Sequence, residues 1–221
     1  MPIIEWVFIF IPIFFHAVIG VVIIRGGLPN TSNYPLSGNI RYTLQRATGM
    51  IAFAFIVWHL IHMHGFFGAP FKEVRMFPLP TGGAAFEPHQ ASSSAGAAIQ
   101  AGIGVQILYA IGVLSCVFHL ANGLWTMGIT WGVWTTAAAQ RRANWVCGAF
   151  GIVLAVIGLS ALVGMGTLDV EDARLLEQAR QEEHQDLDKR VEELRREQQG
   201  ARKAVEETDA SKLARQPNTS K

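Results

Sequence analysis

Seven histidines are distributed over the 221 residues, and five of them, His16, His59, His62, His64 and His119, fall in or beside stretches that are otherwise apolar. A strongly polar side chain at membrane depth is expensive unless it faces a bundle interior with a partner, so each is a functional candidate. One such histidine is accounted for by a neutral imidazole hydrogen-bonded to a neighbouring helix. Several on different helices suggest a second chemistry, because paired imidazoles from facing helices can occupy the two axial positions of a haem iron.

Depth decides which imidazoles can share an iron. His16 lies nine residues before Arg25, and His119 ten residues before Ile129. At about 1.5 Å per residue they stand about 13 Å and about 15 Å from the same membrane face. His59 follows Arg46 by thirteen residues, which puts it about 20 Å from that face, in the outer half. The spacing predicts His16 and His119 as one ligand pair and His59 as a ligand candidate at a second depth.

His62 and His64 lie further out on the helix that carries His59. A single helix cannot offer both axial ligands to one iron, since these come from opposite sides of the porphyrin. His62 and His64 are therefore expected to be surface, propionate-contacting or quinone-contacting groups, or ordinary interface histidines. His89 and His184 are structurally neutral on this reading. Gly20, Gly49 and Gly123 permit close approach of a helix or of a flat ring. Arg46 could pair a haem propionate through charge-assisted bonds, or serve as a basic anchor at the membrane face.

The elements that must position these groups follow from the distribution of charge. Of the 35 Asp, Glu, Lys and Arg residues, 25 lie after Thr167, so the first three quarters of the chain suits lipid and the last quarter water. Four apolar segments, about 4–25, 46–67, 100–128 and 145–166, are long enough to span a bilayer core, which takes about 20 helical residues. Trp131 and Trp134 continue the third toward an interface. The cluster "GGLPNTSNYPLSGN" reads as a loop, and residues 68–99 as a longer connection containing a flexible "ASSSAGAA".

Arg25, Arg41, Arg46, Arg141 and Arg142 flank the first and third loops, against Lys72 and Arg75 in the second, so the first and third loops are expected to be cytoplasmic. The N-terminal segment lacks a basic leader and a small-residue cleavage site, and reads as a retained helix. The expected organisation is all-α: a transmembrane helical bundle over 1–166, a charged helical tail over 167–208 with i,i+4 charge pairs, and a disordered end over 209–221. Cys116 and Cys147 sit in apolar runs and imply no disulfide framework. The chain contains no nucleotide-binding glycine motif, catalytic dyad or nucleophile, and no nucleic-acid partner is expected.

The stretches "FIPIFFHAVIG", "YTLQRATGMIAFAFIVWHLIHM" and "LYAIGVLSCVFHLANGLWTMGITWGVWTTAAAQRR" occur in order and correctly spaced. In these the chain resembles the single-polypeptide cytochrome b membrane anchor of bacterial succinate dehydrogenase over about residues 5–165. The resemblance implies a five-helix bundle with two b haems in the bacterial cytoplasmic membrane. It implies docking to a flavoprotein and an iron–sulfur subunit, and electron transfer to menaquinone or ubiquinone. Such a chain is an electron-transfer subunit rather than a catalyst.

By motif, His16 and His119 match the ligands of the haem nearer the cytoplasm, and His59 matches one ligand of the outer haem. The chain opens where the second helix of the family is expected. Either the true start lies upstream, which is the expectation here, or this is a four-helix variant. One haem b is expected from the ligands in this chain, and two if a further helix or ligand is supplied. The alternatives are a haem-free anchor framing a quinone pocket, and the cytochrome b subunit of another membrane dehydrogenase or hydrogenase.

Overall fold

The computed structural model describes residues 4, 6–27, 29–64, 75–76, 79–80 and 85–214, nearly all of them helical. The chain divides into two compact units, Met1–Val170 and Glu171–Lys221. Four helices of the first unit are long and apolar enough to cross a membrane.

A π-helical turn, Trp6–Phe10, runs into α1, Ile11–Arg25. Pro12, which has no N–H to give to the preceding turn, falls at their junction. None of α1 is buried, and apolar side chains project all round it, as suits a lipid surround. Its last turn ends at Gly26, whose N–H donates to Ile23 O at 3.1 Å.

Helix α2, Ser37–His64, starts nine residues ahead of the expected 46. The expectation followed the onset of continuous apolar sequence, whereas tertiary partners extend the helix. Asn39 donates to Tyr34 O at 3.0 Å, and Arg41 and Gln45 find polar partners on other helices. Residues 65–67 of the expected span lie outside the described residues. Arg75–Met76 and Leu79–Pro80 then form a two-residue antiparallel bridge, β1 and β2, pairing Arg75 with Pro80 and Met76 with Leu79.

The stretch expected to be flexible is instead a buried helix, α3, Ala91–Ile99, in which Ser93, Gly96, Ala98 and Ile99 are buried. Small side chains are what make this possible. A Cβ on Gly96 would lie 2.9 Å from Leu168 Cδ2, and the Ser93 hydroxyl bonds back to Gln90 O at 3.4 Å, so the serines need no water.

Helix α4, Ile103–Thr130, buries Val105, Tyr109, Gly112, Ser115 and Asn122 along one stripe. Its C-terminus turns at Gly132, φ +72°, whose N–H donates to Ile129 O at 3.1 Å. Helix α5, Ala137–Thr167, begins eight residues before the expected 145, because Thr136 caps it by accepting from Ala139 N at 3.2 Å. Gly151 and Gly158 of α5 let it approach α4 closely: a Cβ at Gly158 would lie 2.6 Å from Val113 Cγ1. The densest core, built from Met63, Ile99, Val105 and Tyr109 with Phe55, Trp58 and Met165 around it, joins α2, α3, α4 and α5.

The second unit is built on one helix, α6, Val170–Ala214. The helix therefore persists into the stretch expected to be disordered, where "DASKLA" supplies helix formers and no proline; residues 215–221 lie outside the described residues. Ion pairs run along it, Glu171–Arg174 at 3.9 Å, Asp186–Lys189 at 3.2 Å and Glu192–Arg196 at 3.6 Å. Leu187, Val191 and Leu194 are exposed.

Candidate functional site

His16 projects from α1 and His119 from α4, and their rings face each other with centroids 6.0 Å apart and planes at 84°. Both border a cavity of about 600 Å³ that Gln45, Arg46 and Gly49 of α2 complete. That volume lies within the range of about 300–1,000 Å³ usual for sites that enclose a cofactor-sized ligand. An imidazole nitrogen binds a metal at about 2 Å, so two rings on opposite sides of one ion have centroids about 6 Å apart. The observed separation meets that requirement. The near-perpendicular rings are also those of an edge-to-face contact, which gives a similar distance.

The surroundings restrict what His119 can do. Its Nδ1 lies 3.1 Å from Gln45 O, a pairing that makes Nδ1–H the donor and leaves Nε2 for a ligand. Gly49 clears the space beside the ring: a Cβ there would lie 2.8 Å from His119 Cε1. Of the other two glycines noted in the sequence, Gly20 borders the cavity with nothing within 4 Å of an added Cβ, and Gly123 has Gln45 Nε2 at 3.3 Å. Close approach thus falls to a ring at Gly49 and to a helix at Gly123.

Arg46 lines the cavity near the end of α1. Its guanidinium donates to Gly27 O and, at 3.1 Å, to Ile23 O, and lies over the Tyr42 ring at 4.2 Å. It thereby satisfies carbonyls at the C-terminus of α1, where a cation is favoured by the helix dipole.

His59 does not line this cavity. Its Nδ1 lies 3.1 Å from the Tyr109 hydroxyl, and His62 Nδ1 lies 3.2 Å from the same oxygen. One hydroxyl can donate to one imidazole and accept from the other. His62 is also stacked on Trp58, with centroids 4.8 Å apart and planes at 12°. At 2% exposure it is no surface group, which corrects the surface alternative alone. The reason is that the chain returns over the end of α2: Ala85 N donates to His62 O at 3.1 Å and Phe86 N to Met63 O at 3.0 Å. The side chain of His64 lies outside the described residues.

Among the described residues no three His, Cys, Asp or Glu side chains cluster as a metal site, and the His16–His119 ring pair is separate from His59. The sequence reading missed Gln45, Asn122 and Tyr109. A signal was present: Asn122 stands one helical turn after His119 and Gln45 one turn before Gly49, polar amides on the faces that carry the site.

The four spans define a multi-pass helical membrane protein, and comparison with known proteins makes this specific. The chain is 32% identical over 154 residues to the succinate dehydrogenase cytochrome b558 subunit of Bacillus subtilis (strain 168), covering 70% of this chain and 67% of that protein. It belongs to the family of cytochrome b membrane subunits of succinate dehydrogenase, multi-pass proteins of the bacterial inner membrane. No protein-family model and no solved structure matches it.

Proposed function

We propose that this chain is the haem-bearing anchor of a succinate dehydrogenase, carrying electrons from an iron–sulfur subunit toward a membrane quinone. The observation that carries the reading is the 6.0 Å separation of His16 and His119 beside a cavity of about 600 Å³. Haem b, when bound there, supplies one-electron redox chemistry, while the protein supplies ligation, orientation and burial. His16 and His119 would hold it. Gln45 O holds the Nδ1 proton of His119, Gly49 leaves the ring its space, and Arg46 is the cation available to a propionate.

His59 is the ligand candidate for a second, outer haem, with Tyr109 fixing its Nδ1. The soluble partners are the flavoprotein and iron–sulfur subunits, and the acceptor is menaquinone or ubiquinone. Its contact is sought at the outer end of α2, near His62 and His64. The test is a pyridine haemochrome assay on the assembled complex. His16→Ala and His119→Ala should each remove one haem per chain and leave any outer haem. A full haem complement in both variants would refute the pairing.

A further inference from the structure

The hydrogen bonds around His119 run both ways between α2 and α4. Gln45 O receives the ring at 3.1 Å, while Gln45 Nε2 donates to His119 O at 3.1 Å. One residue of α2 thus grips both the ring and the main chain of the histidine. Its amide oxygen is held in turn by Asn122 Nδ2 at 2.7 Å. Asn122, 4% exposed, accepts from Arg41 Nε at 2.8 Å. Arg41 also reaches Asn144 Oδ1 of α5 at 2.7 Å and lies over Trp125 at 3.9 Å.

Every donor in this chain points the same way: Arg41 to Asn122, Asn122 to Gln45, Gln45 to His119. Bonds aligned in this manner polarise one another, and a positive guanidinium stands at the far end. Apolar side chains would pack these helices without the desolvation cost of burying Asn122 and half-burying Gln45. The donors end on the main-chain carbonyl of His119, so they act on its ring by tying α2 to α4 beside it.

We propose that Gln45, Asn122 and Arg41 are positioning residues for His119. By tying α2 to α4 they keep the main-chain carbonyl of Gln45 opposite the His119 ring, and so hold the ring in one orientation with Nδ1–H engaged and Nε2 free. This rests on the ligand reading above. Outer partners of a metal-bound imidazole govern its orientation and basicity, and their loss typically costs about 10–100-fold in affinity.

The test uses the assembled complex, reading the low-spin haem signal by electron paramagnetic resonance and the rate of haem loss to apomyoglobin. Gln45→Leu should retain haem, shift the signal, and lose haem about tenfold faster. Asn122→Leu should act in the same sense and less strongly. Arg41→Lys, which keeps the charge but not the fork spanning two asparagines, should have the smallest effect. Asn122→Asp preserves shape and the Arg41 bond while removing the donor to Gln45, so it covers the case in which a buried leucine prevents assembly; it too should shift the signal. Unchanged signal and unchanged haem loss in the variants that assemble would assign these residues to helix packing and overturn the proposal. A full haem complement in His119→Ala would instead defeat the ligand reading itself.

Discussion

At Gly49 the absence of one carbon decides whether the His119 ring has room. Gly49→Val places a branched side chain where a Cβ alone would stand 2.8 Å from His119 Cε1. Overpacking of this kind costs about 1–3 kcal/mol and displaces the weaker neighbour. Haem per chain should fall while the protein still inserts in the membrane, measured by haemochrome against protein in purified membranes. Tyr109 offers the converse case. Tyr109→Phe removes the oxygen shared by His59 and His62 and leaves the Nδ1 of buried His62 short of that bond, at about 1–3 kcal/mol. A lower thermal midpoint with the His16–His119 haem spectrum intact is expected; loss of that haem would mean the two sites are coupled. That the His16 and His119 rings come together was legible because depth along a helix is simple counting. Tyr109 was not, since the sequence gives no sign that its hydroxyl meets two histidines 50 and 47 positions away.

Between elements, the segment around Gly96 separates what composition can say from what packing decides. "ASSSAGAA" has the composition of a linker, yet its small side chains are what seat α3 beside Leu168 at the end of α5. Gly96→Val should destabilise this contact, since its Cβ would stand 2.9 Å from Leu168 Cδ2. The expected result is faster proteolysis within 85–102 with haem content unchanged. Resistance equal to that of the unaltered protein would show that α3 is not held there. The four spans themselves were legible from apolar length, but their starts were not. Helix α2 begins earlier than its apolar run because Arg41 and Gln45 have partners that only the folded bundle provides, and α5 begins earlier because of its local Thr136 cap.

Over the whole molecule, charge is partitioned between a unit suited to lipid and a helix suited to water. Every residue argued to hold or position the cofactor lies within Met1–Val170. Truncation after Val170 should leave haem per chain unchanged, checked on the truncated chain coexpressed with its soluble subunits. The central claim is that His16 and His119 bind one iron from opposite sides. It is tested most directly by low-temperature electron paramagnetic resonance of the oxidised complex, unaltered and with His16→Ala or His119→Ala. Rings at 84° lift little of the degeneracy of the iron orbitals that they face, so a strongly anisotropic low-spin signal is expected, lost in both variants alike. The same low-spin signal surviving in either variant would contradict the pairing.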